Sequence, residues 1–292
     1  MSASDYRTRF APSPTGYLHA GHAFAAAQAF GAAEEAGGTC LLRIEDIDQT
    51  RCRPEFEQAI YEDLGWLGLD WPEPVRRQSE HFDDYAAALK KLTDLGLTYR
   101  CFLTRKEIAR RLDAADVAVS PAGERPFLRP EPILSAEEEA ERIAAGEPFA
   151  WRLSLAACRD YLGNSFQTLE FKEDGDDEAI ENGVTQAHPE WLGDVVLARK
   201  DAPTSYHLAV CHDDAVQSIT HVVRGADLYH ATHIHVLLQT LMGWHTPIYH
   251  HHPLVLDNAE KKLAKTRNSR SIRDLRAAGA RPEDILAGRV GS

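Results

Sequence analysis

Apolar and polar positions sort the first hundred residues into alternating strand and helix. Residues 7–11 read as a short strand, residues 12–17 as a tight proline-containing loop, and residues 18–35 as a helix ended by Gly37 and Gly38. Residues 40–44 (Cys-Leu-Leu-Arg-Ile) form a second, largely apolar run. Strand, loop, helix and strand in this span make a βαβ unit, which predicts a parallel sheet. Phe56, Ile60 and Leu64 then recur on one helical face, as do Phe82, Leu89 and Leu92, with Gly65 and Gly96 as the expected C-terminal caps.

From about residue 99 to 192 the character changes. Thr104 with Glu107, and Ser135 with Glu138, are capping-box pairs that predict two helix starts, separated by a proline-rich stretch at 121–132. Residues 173–178 are expected to form a solvated acidic loop between two strands. The α/β pattern returns at Gly193. Residues 194–198, 206–211 and 219–223 read as strands, 228–241 as a helix closed by Gly243, and 248–250 as a last short strand. Residues 271–286 read as helical, with Pro282 at a helix start. The expected organisation is an α/β domain in two halves, 1–98 and 193–256, split by an inserted α+β subdomain at 99–192 and followed by a short C-terminal segment at 257–292.

Composition narrows this picture without redirecting it. The 292 residues are 43% hydrophobic and 26% charged, as in an ordinary globular protein. No apolar run is long enough to span a bilayer, and residues 1–8 are too short and polar for a signal peptide or anchor. The five cysteines are scattered and odd in number, which predicts reduced thiols in the cytoplasm rather than a disulfide framework. The formal net charge of −13 argues against general nucleic-acid affinity, so any RNA contact must come from a local basic surface.

Four segments carry candidate chemistry. In the first, residues 9–22, two prolines stiffen a loop between strand and helix. Backbone N–H groups at that helix start favour an anion such as ATP phosphate. His19 and His22 share a face there and can donate to phosphate oxygens, while Gly21 leaves room for a base or ribose. In the second, Glu45 stands just past a strand end, where a carboxylate can hold an ammonium group; the plainer reading of that strand end is a pair between Arg43 and Asp46. The third contains Tyr206, the Asp213–Asp214 pair and Arg224, whose guanidinium can grip a carboxylate in bidentate fashion or form a structural pair with Asp227. The fourth, Lys261 with Lys262 and Lys265, suits the charge that develops on a pyrophosphate. The histidines at 230, 233, 235 and 250–252 have no closed zinc spacing and no accompanying cysteines, and are expected in packing and surface roles.

The wording Ala11-Pro12-Ser13-Pro14-Thr15-Gly16, followed by His19-Ala20-Gly21-His22, resembles the HIGH-motif segment of the glutamyl branch of class I aminoacyl-tRNA synthetases. Lys262-Leu263-Ala264-Lys265-Thr266 is similar to their KMSKS loop, with Ala264 and Thr266 in place of its serines. The resemblance runs from about residue 7 to 271 and is weakest in the insertion. It implies a Rossmann-like parallel sheet, ATP with Mg2+, and L-glutamate as substrate. It implies that Arg9, Phe10, Ala11, Pro12, Ser13, Glu45, Tyr206 and Arg224 bind glutamate, with Glu45 on the α-ammonium and Arg224 near the side-chain carboxylate. It further implies that His19, Gly21, His22, Lys262 and Lys265 bind ATP, with His19, His22 and Lys265 catalytic. Some relatives carry zinc through a Cys-x-Cys after a tyrosine; here Leu103 follows Tyr99 and Cys101 at the second position, so zinc is not expected.

Full-length glutamyl relatives continue into a helical anticodon-reading domain, of which this chain is expected to have no counterpart. Truncated relatives of this kind are the glutamyl-queuosine tRNA(Asp) synthetases. The resemblance thus implies transfer of glutamate to the queuosine base of tRNA(Asp), by a cytoplasmic enzyme, expected to be a monomer. Two alternatives stay open: a divergent enzyme charging a tRNA 3′ end, and a non-catalytic glutamate- or ATP-binding regulator.

Overall fold

The structure is a computed structural model that describes residues 5–199, 201–255 and 270–287. The chain begins with β1 (Arg7–Phe10), α1 (Ala20–Glu35), β2 (Thr39–Ile44), α2 (Pro54–Trp66), β3 (Arg76–Arg77) and α3 (Phe82–Asp94). β1 and β2 pair in parallel, Arg7 opposite Thr39 and Phe10 opposite Leu42, and β2 pairs in parallel with β3. The expected βαβ unit is therefore present. α1 buries a stripe of small residues, Ala20, Ala23, Ala26, Ala29 and Ala33, which lets the helix lie close on the sheet. Gly38 is required at the turn into β2, because a Cβ there would meet the Tyr6 carbonyl oxygen at 2.2 Å. α2 runs past Gly65, and the glycine that follows its cap is Gly68.

The middle of the chain supplies β4 (Thr98–Cys101), α4 (Arg105–Ala114), α5 (Ala136–Ala144), β5 (Ala150–Leu153), α6 (Leu155–Leu162), β6 (Glu170–Glu173) and β7 (Gly183–Gln186). Both capping boxes form as expected, at Thr104 of α4 and Ser135 of α5. The remainder gives β8 (Val196–Ala198), α7 (Tyr206–Val216), β9 (His221–Gly225), α8 (Tyr229–Met242), β10 (Ile248–His252), α9 (Ile272–Ala277) and α10 (Pro282–Leu286). The strand expected at 206–211 is instead the first half of α7. A six-residue apolar run cannot by itself distinguish a buried strand from a buried helix. The helical period decides the outcome, because it brings Asp213 and Asp214, seven and eight residues on, to the same side as Tyr206.

Strand pairing crosses the chain's linear order. β9 pairs in parallel with β10, and β10 in parallel with β6, which turns back antiparallel into β7. β4, β5 and β8 make a separate antiparallel sheet. Segment 99–192 thus gives β6 and β7 to the sheet of β9 and β10, while β8, from beyond that segment, completes the small sheet. β1 lies beside β9, with the Thr220 amide donating to the Arg7 carbonyl at 2.9 Å. One apolar cluster sits between α1, β1 and β2 and takes in Ile272, Leu275 and Ile285 from the C-terminal helices. Another fills the space around α7, α8, β6 and β10.

Candidate active site

The C-terminal ends of β1, β2 and β9 and the start of α1 converge on a cavity of about 480 Å³. This is where β1 and β9 meet, and open α/β sheets hold ligands at the strand ends of such a switch point. Arg9, Phe10, Ala11, Pro12, Ser13, His19, Gly21, His22, Glu45, Tyr206 and Arg224 all line it. Lys262 and Lys265 lie outside the described residues. The chain on either side of them is at the site: Leu254 and Val255 line the cavity, and Ser271 bridges to His19.

The loop of residues 12–17 is held by the strand beside it. The Glu45 amide donates to the Pro12 carbonyl at 3.1 Å, and the Arg53 amide to the Pro14 carbonyl at 3.0 Å. At the helix start, the His19 amide donates to His22 Nδ1 at 3.1 Å, and the Gly21 amide to His19 Nδ1 at 3.2 Å. The helix terminus is therefore capped by its own two histidines, and its amides are not simply open to an anion. With both Nδ1 atoms accepting, each ring carries its proton on Nε2, and those N–H groups are the donors the motif can offer a phosphate.

Beneath the cavity lies a buried charge network. Arg9 Nε donates to Asp214 at 3.0 Å, Arg43 donates to the same oxygen, and Arg43 Nη1 is 3.9 Å from Asp213. Asp213 also accepts from Arg76, Gln78 and the Tyr85 hydroxyl, each bond between 2.8 and 3.0 Å. Burial alone would raise its carboxyl, but His212, Arg43, Arg76 and Gln78 outweigh that and hold it down at about 2. Arg43 thus pairs with α7, and Asp46 is taken by the Ser79 amide and hydroxyl at 2.8 and 2.5 Å, so the pair expected between Arg43 and Asp46 does not form. Burial acts oppositely on Glu45. It pushes this carboxyl up to about 7, with Arg43 and Arg9 offsetting only part of the effect.

Arg224 is buried and has no carboxylate within ion-pair distance among the described residues. Its Nε donates to His251 Nε2 at 3.1 Å, its Nη2 to the Leu228 carbonyl and Thr232 hydroxyl at 3.1 and 2.6 Å, and its Nη1 to the Tyr206 hydroxyl and His235 Nδ1, both at 3.4 Å. Asp227, the alternative partner, is not in this set. The imidazoles are neutral: burial, then the Arg224 charge, holds His235 well below its ordinary value and His207 at about 4. A full positive charge thus sits at the cavity wall among neutral acceptors, with the longest and weakest of its bonds at Nη1.

The model of the family described as class I tRNA synthetases (E and Q), catalytic domain, matches residues 5–290. The chain belongs to this synthetase family. It is 44% identical to the Glutamyl-Q tRNA(Asp) synthetase of Rhodobacter capsulatus, over 95% of this chain and 97% of that relative. It is 39% identical to a protein of the same name from Nocardia farcinica, over 96% of this chain and 82% of that one. The glutamate–tRNA ligase of Aquifex aeolicus is 35% identical over 97% of this chain but only 56% of its own length. A crystal structure of a glutamate tRNA ligase from Elizabethkingia meningosepticum in complex with its amino acid aligns with a TM-score of 0.68 at 28% identity, covering 94% of this chain and 53% of that one. The chain spans just over half the length of the glutamate–tRNA ligases it matches.

As a class I synthetase of this group, the chain is a ligase of the aminoacyl-tRNA type, a class that uses ATP. No helix among the described residues is long and apolar enough to cross a membrane. Several relations around the cavity escape a reading of the sequence, although the residues themselves are visible in it. Arg43, Asp213 and Asp214 need the helical reading of α7 to come together. Glu173, expected in a solvated loop, is buried, with its carboxylate on His251 at 2.7 Å. His235 and His251, expected in packing roles, are the acceptors that hold Arg224. One usable signal was the adjacent pair Asp213–Asp214, one residue beyond the apolar run at 208–211, where unpaired carboxylates would be costly.

Proposed function

We propose that the protein activates L-glutamate as its adenylate and transfers it to the queuosine base of tRNA(Asp). The observation that carries the substrate is the placement across one cavity of two ionisable groups that have no ion-pair partner among the described residues: Arg224, whose hydrogen bonds all go to neutral acceptors, and Glu45, whose carboxylate accepts no hydrogen bond among them. Glutamate matches both ends, its side-chain carboxylate on Arg224 and its α-ammonium on Glu45. Glutamine cannot make the same charged pair, so its amide is rejected. Arg9, Phe10, Ala11, Pro12, Ser13 and Tyr206 complete the amino-acid subsite. Support for the acceptor comes from the relatives named for glutamyl-Q tRNA(Asp), matched over most of their length.

In the first step, an oxygen of the α-carboxylate attacks the α-phosphorus of ATP, the bond to the bridging oxygen breaks, and pyrophosphate leaves. His19 and His22 donate from Nε2 to the phosphate oxygens, with Gly21 beside the nucleotide and Lys262 and Lys265 countering the pyrophosphate charge. Mg2+ accompanies the ATP phosphates. In the second step, a ring hydroxyl of queuosine attacks the activated carbonyl, losing its proton, and AMP leaves. Positioning and fixed charge supply the rate acceleration. The proposed compartment is the cytoplasm, supported by five cysteines that are all unpaired.

The test offers radiolabelled glutamate, ATP and two RNAs, queuosine-containing tRNA(Asp) and unmodified tRNA(Glu). Label confined to the modified tRNA(Asp) is expected. Label on tRNA(Glu) would overturn the acceptor in favour of 3′-end charging, and absence of glutamate-dependent ATP–pyrophosphate exchange would overturn activation itself.

Glu45 adds a pH dependence. Burial, chiefly, raises its carboxyl to about 7, so below that pH it is neutral and cannot hold the ammonium group. The KM for glutamate in pyrophosphate exchange should therefore fall about tenfold between pH 6 and 8. In Glu45→Gln the KM should be high and flat across this range; a wild-type profile just as flat would remove Glu45 from this role.

A further inference from the structure

Glu173 is a buried carboxylate far along the chain from every motif of the site, and all its bonds converge on one histidine and its neighbour. Its Oε1 accepts from the His251 amide at 2.9 Å and the Gly175 amide at 3.1 Å, and its Oε2 contacts His251 Nδ1 at 2.7 Å. An ionised carboxylate can only accept, so Nδ1 must carry the imidazole proton. Nε2 is then left as an acceptor, and it receives Arg224 Nε at 3.1 Å. Gly175 permits this approach, since a Cβ there would meet the His251 backbone nitrogen at 2.4 Å and Glu173 Oε1 at 2.6 Å. Burial keeps the His251 ring neutral, down at about 4, against the opposing pull of Glu173.

We propose that Glu173 and His251 are positioning residues for substrate selection: Glu173 fixes the His251 tautomer, and that tautomer fixes the guanidinium plane of Arg224 at the cavity wall. The proposal rests on Arg224 being the group that receives the glutamate side chain. Held at Nε by His251 and at Nη2 by Thr232 and Leu228, the guanidinium cannot rotate, and Nη1, with its two long bonds, is the nitrogen presented to an incoming carboxylate. The opposite tautomer would set an imidazole N–H against the Arg224 Nε–H, donor against donor, and turn the plane away.

Glu173→Gln tests this with nearly constant shape. Two backbone amides compete for the new amide oxygen, which leaves the amide nitrogen against His251 Nδ1 and forces the ring proton to Nε2. The expected result is a KM for glutamate raised about 10- to 100-fold, with the KM for ATP within about twofold of wild type. Glu173→Asp, which keeps an acceptor-only group, should recover part of the loss. Long-range 1H–15N spectra of histidine-labelled protein should show one buried ring with its proton on Nδ1 in the wild type and on Nε2 in E173Q. A merely structural role would shift both KM values together and would not move the proton. An unmoved glutamate KM in a folded E173Q, or an Nε2 proton on His251 in the wild type, would overturn the relay. Wild-type pyrophosphate exchange that ignores glutamate would instead count against the substrate reading beneath it, so the two failures are distinguishable.

Discussion

Replacing Arg224 by glutamine is expected to lower kcat/KM for glutamate activation by roughly 30- to 5,000-fold, the equivalent of about 2–5 kcal/mol for truncating one partner of a desolvated charge pair. The size of the effect follows from the surroundings. The guanidinium is buried, and its hydrogen-bond partners among the described residues are two imidazoles, two hydroxyls and a carbonyl, so no carboxylate among them shares its charge. Glutamine at this position keeps donors but loses the charge, so discrimination between glutamate and glutamine should fall along with the rate. Arg224→Lys should restore little, because a single ammonium cannot occupy three nitrogen positions in one plane. Steady-state pyrophosphate exchange with both amino acids measures this. The thermal midpoint should drop far less than for the next variant, since no ion is orphaned. Near-wild-type activity in R224Q would remove this arginine from substrate recognition.

The second large effect is on stability. Arg43→Met is expected to cost about 3–5 kcal/mol, because removing one member of a buried ion network leaves the others uncompensated. Arg43 is fully buried between Asp214, to which it donates, and Asp213 at 3.9 Å. The loss should depend on pH with a definite sign. Asp213 is held at about 2 in part by Arg43, so its contribution is fully present above the ordinary carboxyl range and lost as pH falls towards 2. Without Arg43 the aspartates protonate more readily, and the deficit of the variant should be largest near neutral pH and shrink in acid. Urea midpoints at pH 7 and 4.5 test this. Adding Asp213→Asn and Asp214→Asn to R43M should recover part of the lost stability at pH 7. A deficit independent of pH would mean that packing, not charge, is what Arg43 supplies.

The parts of the site that are contiguous in sequence were legible there. The stretch from Arg9 to His22 dictates its own geometry, since two prolines, a glycine and a helix start leave few paths for the backbone. Glu45 follows β2 and lines the cavity, as expected from the strand end, because a strand end in a parallel sheet is a position the apolar pattern defines. Relations between distant segments were not legible. Tyr206 and Asp214 share a helix face only once the run between them is read as helical, and nothing in that run fixes its period. By sequence alone Arg43 can pair with Asp46, close by, or with aspartates 170 and 171 positions away, and the sheet decides. Glu173 lies in an acidic stretch that composition assigns to solvent, yet register with β10 drives that one carboxylate inward while its neighbours remain outside. Lys262 and Lys265 fall outside the described residues, and their part in the site stands on the sequence alone.

The crossing of β6 and β7 into the sheet of β10 bears on how such a protein can change by recombination. A segment inserted between two halves of a domain looks like a cassette that lineages could trade to alter RNA contacts while leaving amino-acid choice intact. Here the cassette carries Glu173, which grips the histidine that grips Arg224, and the host carries β8, which the small sheet needs for its edge. A chimaera cut at residues 99 and 192 would import a foreign anchor for Arg224 along with any new RNA surface. Breakpoints that leave β6 and its carboxylate with the host, before residue 170, should be the ones that recombination tolerates.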